Sequence, residues 1–198
     1  MKRLIEKNPN SVEHWNSVFN NEIENDIDRI AIDRFQMISE EIKDNTKVLD
    51  IGCGKGEFIG YLDKYKFNMK LFGCDMSDVA INYCRKELPK HSFCVGNIDN
   101  QLRECGKEQF DYVVCEEVIE HIESPENLIK DIGYLLKDFG KLILTTPYNN
   151  SIVGEHVWSF NIKDITDLLE NEDWEIEKII RYYNFKNLFI TAIKKGKS

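Results

Sequence analysis

Four side chains able to carry out acid–base or metal chemistry follow apolar runs in this sequence. Glu117, Glu120 and His121 lie in the stretch EEVIEHI, directly after FDYVVC, and His156 follows in GEHVWSF. If a helical turn begins after the first run, positions 117, 120 and 121 share one face, because residues three and four apart are neighbours on a helix. Two carboxylates and an imidazole on one face can form half of a divalent-metal site, or a general base with its orienting partner.

A second group of residues with chemical potential lies in VLDIGCGKGEF, residues 48–58. Gly52, Gly54 and Gly56 follow an apolar run that ends in Asp50, so a ligand could approach bare backbone beside a carboxylate. A dinucleotide-binding loop would place its third glycine at position 57, which is Glu57 here. The carboxylate of Asp50, at the end of the strand beside this loop, would repel a pyrophosphate and suits a cationic ammonium group.

Asp75 ends the next apolar run, 19 residues after Gly56. A carboxylate at this distance from a glycine loop can accept hydrogen bonds from two ribose hydroxyls. Together, the two acids predict a ligand in which an adenosine carries an amino acid.

The elements that must position these residues alternate along the chain. Residues 11–45 read as a helical lead-in because apolar residues recur every three or four positions. Strands are predicted in KVLDI, KLFGCD, SFCVGN, FDYVVCEE and GKLILTTP. Helices are predicted over 57–65, over 77–88 with Ser77 as N-cap, near 100–106, and over 124–138 with Ser124 as N-cap and Pro125 at the first position. This alternation predicts an α/β fold whose parallel sheet is covered by helices on both faces.

The last third of the chain has a different pattern. After a predicted helix in IKDITDLLENE, the strand-like runs WEIEKIIRYY and NLFITAIKK are separated only by NFK. This link is too short for a crossover helix, so the two runs form a hairpin and the final strand is predicted to be antiparallel to its neighbours. Ligands bind beyond the carboxyl ends of the parallel strands in such sheets.

The charge, the cysteine pattern and the apolar segments of the sequence disfavour several classes of function. With 26 Lys and Arg against 35 Asp and Glu, the formal charge of -9 disfavours nucleic acid as a partner. The six cysteines form no C-x-x-C pair, so they are expected to be reduced packing residues. We find no apolar segment long enough for a signal peptide or a membrane span, and expect a cytoplasmic protein of one compact unit, with a lead-in or lid over 1–45 and a binding domain over 46–198. Oligomeric state is left open.

These motifs, in this order, resemble those of the class I S-adenosylmethionine-dependent methyltransferases. The resemblance covers VLDIGCGKGEF, FGCDMSDVAI, CVGNIDN, FDYVVCEEVIEHI and LLKDFGKLILTTP. It implies a Rossmann-like, seven-stranded, mostly parallel sheet with an antiparallel last strand, which agrees with the hairpin predicted above.

The resemblance also implies a role for individual residues in binding S-adenosylmethionine. The implied contacts are Asp50 to the methionine ammonium, Gly52 and Gly54 along the methionine and ribose, Asp75 to the ribose hydroxyls, Met76 to the adenine face, and Asn97 and Ile98 to the adenine edge. Position 97 departs from the family, which commonly has Asp there. An asparagine carbonyl can accept the same hydrogen bond from the adenine amino group.

The implied activity is methyl transfer to an oxygen or nitrogen of a small molecule. Candidate bases are His156, or His121 oriented by Glu117, and His14 and Trp15 are candidates for an N-terminal lid. The segment from His156 to Phe160 resembles one found in ubiquinone-biosynthesis and sugar methyltransferases.

Two other functions stay open at this point. Glu117, Glu120, His121 and His156 also resemble the two glutamates and two histidines of metal-dependent small-RNA 2′-O-methyltransferases. We favour a role in shaping the pocket and predict no metal ligand. A non-catalytic S-adenosylmethionine-binding domain is the other alternative.

Overall fold

In a computed structural model, which describes residues 1–21, 29–96, 98, 102–105, 109–149, 154–182 and 186–196, strands alternate with helices. The strands are β1 Lys2–Arg3, β2 Lys47–Ile51, β3 Lys70–Asp75, β4 Ser92–Val95, β5 Phe110–Glu116, β6 Leu136–Pro147, β7 Trp158–Ser159, β8 Trp174–Tyr182 and β9 Asn187–Lys194. The helices are α1 Val12–Asn21, α2 Arg29–Glu40, α3 Glu57–Tyr65, α4 Asp78–Glu87, α5 Pro125–Leu135 and α6 Ile162–Glu170, with 3₁₀ turns at Leu102–Cys105 and Ile119–His121.

The main sheet has seven strands in the order β4-β3-β2-β5-β6-β9-β8. The five strands from β4 to β6 in this order are parallel, and β9 is antiparallel to both β6 and β8. The predicted α/β class, the parallel sheet and the antiparallel hairpin at the end are therefore confirmed. The order reverses between β2 and β5, where open α/β sheets bind their ligands.

Two apolar layers cover the two faces of this sheet. Because successive side chains of a strand point to opposite faces, Val48 packs with α2 and α3 while its neighbour Leu49 packs with α5. The same alternation recurs at Val113 and Val114 of β5. Helices therefore hold the sheet from both sides.

The end of α5 differs from the sequence prediction. The helix stops at Leu135 and the chain enters β6 at Leu136, so residues 136–138 are strand and not helix. Pairing of Leu136 with Phe110 competes with helix continuation, and a left-handed residue at Phe139 (φ 62°) then turns the chain. Ser124 lies at the predicted N-cap, but its side chain makes no capping hydrogen bond.

The N-terminal segment reaches across the molecule. β1 pairs with β7 in a separate two-stranded sheet, and the N–H of Leu4 donates to the carbonyl of Val157 at 2.8 Å. Helix α1 follows and contacts the start of α4, where the side chain of Asn16 bonds Ser77 and Asp78. Among the described residues, no helix has the length and apolarity needed to cross a membrane.

Candidate functional site

A cavity of about 610 Å³, part of it open to solvent, lies at the carboxyl ends of the central strands. The wall residues come from the N-terminal segment, the loop after β2, the end of β3 and the turn after β5: Asn10, Trp15, Phe19, Gly52, Asp75, Met76, Ile98, Glu117, Val118, His121 and Ile122.

The glycine loop forms the floor of the cavity in left-handed backbone conformations. Gly52 has φ 70° and Gly56, which caps α3, has φ 80°. The N–H groups of Gly52 and Cys53 both donate to the carbonyl of Cys74, at 2.8 and 3.0 Å, so the loop is fixed to β3. A Cβ at Gly52 would collide with Val118, which explains why this position needs glycine.

Asp50 is the last residue but one of β2, beneath this loop, and its carboxyl group is buried. No described group donates a hydrogen bond to it. Burial raises the pKa of Asp50 well above its ordinary value, and the charges of Glu116 and Asp75 raise it further. The Asp50 side chain is not part of the cavity wall.

Asp75 lies in the cavity wall and connects the loop to α4. Its two oxygens accept from the N–H groups of Gly54 at 3.0 Å and Ser77 at 2.9 Å. Each carboxylate oxygen has a second lone-pair site, so the residue can still accept from a ligand hydroxyl. Met76 and Ile98 line the same part of the cavity. Asn97, the fourth residue predicted for this region, lies outside the described residues.

Helix α1 supplies an aromatic wall opposite the loop. The Phe19 ring lies next to Gly54: a Cβ added at Gly54 would be 3.3 Å from that ring. Trp15 contacts the ring of His121 edge-on, with centroids 5.4 Å apart. None of the α1 side chains is fully buried, so the helix is held by this contact and by its hydrogen bonds to the start of α4.

The sequence spacing predicted that Glu117 shares a helical face with Glu120 and His121. In the structure it does not. Its backbone is left-handed (φ 51°), and its N–H donates to the carbonyl of Thr145 on β6 at 3.1 Å. The 3₁₀ turn therefore begins only at Ile119. The Glu117 side chain accepts from Asn187 at 3.1 Å through Oε2, while its Oε1 is buried without a partner among the described residues.

Glu120, His121 and His156 converge on one point next to the cavity. One ligand atom from each lies within 4.8 Å of the others, and the two imidazole rings are 4.9 Å apart. Thr146 donates to Oε2 of Glu120 at 3.0 Å, whereas Oε1 of Glu120 and Nδ1 of His156 are buried and have no partner in the described part of the chain. His121 lines the cavity, and His156 lies behind it.

His121 is oriented by a backbone carbonyl. Its Nδ1 is 3.0 Å from the oxygen of Glu155, which can only accept, so Nδ1 carries the proton and Nε2 has a free lone pair. No hydrogen bond joins it to Glu117 in the described part of the chain.

Burial sets the protonation of this cluster. It lowers the pKa of His121 to about 4, against the effect of the Glu155 carbonyl, and it also lowers the pKa of His156. Burial raises the pKa of Glu120 well above its ordinary value, and the neighbouring Glu117 adds to this. Both imidazoles are therefore uncharged near pH 7 and present lone pairs.

Sequence reasoning missed several residues of the site. Arg34 on α2 forms a buried ion pair with Glu116, beside Glu117 and Asp50, and nothing in the local sequence connects positions 34 and 116. Asn10 enters the wall from the turn NPNS, a composition that indicates a turn but not its destination.

Comparison with known proteins assigns the family. A family model described as a methyltransferase domain matches residues 23–188. The chain belongs to the S-adenosylmethionine-dependent methyltransferases. This methyltransferase chain is 31% identical, over 146 residues, to a ubiquinone biosynthesis O-methyltransferase of Coxiella burnetii; the match covers 68% of the chain and 61% of that protein. The chain thus spans about three fifths of the length of such relatives.

Solved structures show the same methyltransferase fold. The [4+2]-cyclase SpnF superimposes with a TM-score of 0.77 at 16% identity, covering 99% of this chain and 100% of that one. A TehB-like methyltransferase from Corynebacterium glutamicum gives 0.69 at 20% identity, covering 92% and 95%. One of the two structures is named as a cyclase, so the fold alone does not determine the reaction.

The residues of this site fit S-adenosylmethionine, the cofactor of the family. Asp50 is a buried carboxylate that accepts no hydrogen bond from the described residues, and an ammonium group would supply such a bond. The loop at Gly52 and Gly54 offers backbone without side chains, and Asp75 retains acceptor capacity at the rim.

Proposed function

We propose that this methyltransferase transfers a methyl group to an oxygen or nitrogen of a small molecule. Support comes from the relative named as an O-methyltransferase. The negative charge of the chain argues against nucleic acid as the acceptor.

One observation carries this proposal: residues of the cavity wall around His121 hold hydrogen-bond acceptors that have no donor among the described residues. They are Oε1 of Glu117 and Oδ1 of Asn10, and the Nε2 lone pair of His121 lies on the same wall. A buried acceptor without a donor costs about 1–3 kcal/mol, and a ligand that brings the donor recovers it. A hydroxyl or amine can do so, whereas a carboxylate or phosphate has only acceptors and would be repelled.

Each predicted residue has a role in this proposal. Asp50 would hold the ammonium of the cofactor and Asp75 its ribose, with Gly52 and Gly54 along the chain between them. Met76, Asn97 and Ile98 would hold the adenine. S-adenosylmethionine supplies an electrophilic methyl group on a sulfonium.

In this proposal, the methyl acceptor loses its proton at the cavity wall that contains His121. Nε2 of His121 would accept the proton of the acceptor, and Glu117 would accept a hydrogen bond from a second donor. His156, which the sequence suggests as an alternative base, lies behind His121 and would act through it.

The experiment is a transfer assay with radiolabelled S-adenosylmethionine and a panel of catechols, phenols, amines, carboxylates and short RNAs. We expect transfer to a hydroxyl or amine compound, and a loss of at least 100-fold in kcat/KM in His121→Gln. His91→Gln is the matched control, because His91 pairs with Asp63 away from the cavity. Labelling confined to carboxylates or RNA would contradict the proposal.

The convergence of Glu120, His121 and His156 favours a second candidate, metal-assisted methyl transfer to a hydroxyl. With a pKa of about 4, His121 is a weak base for a hydroxyl, whereas uncharged imidazoles and a carboxylate are good ligands for a divalent ion. An ion held there would lower the pKa of the hydroxyl as a Lewis acid.

Metal dependence separates the two candidates. If a metal acts, chelation abolishes transfer and Mn²⁺ or Co²⁺ restores it, and Co²⁺ gives a visible absorption spectrum that Glu120→Gln removes. Transfer that is unchanged after exhaustive chelation would reject the metal and retain His121 as the base.

The N-terminal segment is proposed to act as a lid over the cofactor. Phe19 lies against the loop at Gly54, and Trp15 lines the same cavity. Polar contacts join this segment to the molecule through Asn10, just before α1, and through Asn16, in the middle of α1. The lead-in over 1–45 and the binding domain over 46–198 would then work as one unit.

A further inference from the structure

Asn10 connects the N-terminal segment to the histidine side of the cavity. It precedes α1 in the turn NPNS, and its side chain lies in the cavity wall next to His121. Neither the family match nor the predicted base and lid residues give it a role.

Hydrogen bonds fix the orientation of the Asn10 amide. Its Nδ2 is 2.8 Å from the carbonyl oxygen of Glu155, 2.7 Å from Oδ1 of Asn8 and 3.3 Å from the carbonyl oxygen of His121. All three are acceptors, so the nitrogen must occupy this position and the oxygen must face away. Oδ1 is accordingly buried without a partner among the described residues.

The carbonyl of Glu155 therefore receives two donors, Nδ2 of Asn10 and Nδ1 of His121 at 3.0 Å. The peptide that carries it follows a part of the chain that the structure does not describe and precedes His156. In the described residues that follow, the N–H of Val157 donates to the carbonyl of Glu120 at 2.8 Å. The Asn10 amide supplies a contact that acts directly on the carbonyl oxygen.

We propose that Asn10 is a positioning residue: through the carbonyl of Glu155 it holds His121 in the Nδ1-protonated tautomer and keeps the Nε2 lone pair available. The inference rests on the proposed function for the importance of that lone pair, whether it meets a proton or a metal ion. The hydrogen bond made by one ring nitrogen decides which tautomer is present. The N-terminal segment would thus be part of the catalytic apparatus and not only a cover.

The test is long-range ¹H–¹⁵N correlation NMR of the histidine rings, at pH 7 with a chelator present. The protein has four histidines, so His121 can be assigned by the loss of its signals in His121→Gln. In the wild type we expect the Nδ1–H tautomer of His121 to predominate. In Asn10→Ala and in Asn10→Asp, which cannot donate, we expect the two nitrogen resonances to move toward each other as the tautomers mix.

Asn16→Ala is the matched control, since it removes a polar side chain that holds α1 at the other end of the segment without touching Glu155. It should leave the His121 resonances in place. A wild-type ring in the Nε2–H form, an unchanged tautomer in both Asn10 variants, or an equal shift in Asn16→Ala would overturn the proposal. None of these readouts needs a methyl acceptor, so the proposed function could fail while this proposal stands, and the reverse.

Discussion

Asp50 is a buried carboxyl group that accepts no hydrogen bond from the part of the chain that the structure describes. The neighbouring carboxylates of Glu116 and Asp75 make its charge still less favourable. A buried charge without a partner lowers the stability of a folded protein, and binding of a cation would offset this cost.

Asp50→Asn is therefore expected to weaken binding of S-adenosylhomocysteine by about 10- to 100-fold, because a hydrogen bond to a charged group contributes roughly 1.5–3 kcal/mol. Binding of 5′-methylthioadenosine, which has no amino acid, should be unchanged. Isothermal titration with both ligands measures the difference. Asp63→Asn, a surface carboxylate paired with Lys90, is the control. Equal weakening of both ligands would show that Asp50 supports the loop and does not bind the ammonium.

Glu116 gives the protein a pH-dependent stability. Burial raises its pKa to about 7, against the nearby Arg34. The folded state thus holds this proton more tightly than the unfolded state does. The contribution to stability is complete below the ordinary pKa of about 4.5 and is lost as the pH rises through 7.

We expect the free energy of unfolding to fall between pH 5 and pH 8, with this group contributing at most about 3 kcal/mol. Glu116→Gln should remove that part of the slope, as measured by urea unfolding at both pH values. An unchanged slope would place the proton elsewhere in the cluster.

The residues of the site differ in how far the sequence could predict them. Gly52 follows β2, and Asp75 and Met76 lie at the end of β3, within short motifs that the sequence alone makes visible. The structure places all three residues in the cavity wall. The orienting group of His121 is a backbone carbonyl, which no side-chain pattern can reveal. The spacing of Glu117 and Glu120 suggested that they share one helical face. The sequence could not show the left-handed turn at Glu117, because this turn depends on a hydrogen bond to β6, a distant strand.

Two serines at helix N-termini show how much a capping signal depends on tertiary contacts. Ser77 caps α4 by accepting from the N–H of Ala80 at 3.2 Å and donates to Asn16. Ser124 occupies the same position before α5 without a side-chain bond. The sequence marks both as caps, and only the first one uses its hydroxyl.

Ser77→Ala should lower the free energy of unfolding by about 1 kcal/mol, the usual contribution of an N-cap. Ser124→Ala should change it by a few tenths at most, so the two variants form a matched pair in urea titrations. Equal losses in both would mean that the Ser124 hydroxyl caps α5 in solution.

Local periodicity was enough to predict the strands and helices of the main sheet, because each apolar run packs against a helix close to it in the chain. It could not predict β1 and β7, which have two residues each and pair across more than 150 positions. The periodicity also predicted an end of α5 three residues too late. Leu136 pairs with Phe110 of the neighbouring strand, and local sequence cannot show a pairing between strands.

At the scale of the whole molecule, α1 is the described helix that the core holds least. It has no fully buried residue, whereas α5 buries six of its side chains. If α1 covers the cofactor, S-adenosylhomocysteine should slow hydrogen exchange of the amides of Val12–Asn21 by at least tenfold. The amides of α5, already protected by the core, serve as the internal reference in the same mass-spectrometric experiment. Unchanged exchange in α1 would contradict the lid.

The strand order also has a consequence for biosynthesis. In the described sheet β9 lies between β6 and β8 and is hydrogen-bonded to both, yet it is translated after them. Until β9 leaves the ribosome, the nascent chain presents the open edge of β6 and an unpaired β8. Open edges of this kind recruit other chains. A stalled or prematurely terminated product that stops before Asn187 is therefore the form of this protein that a cell must hold with a chaperone or degrade.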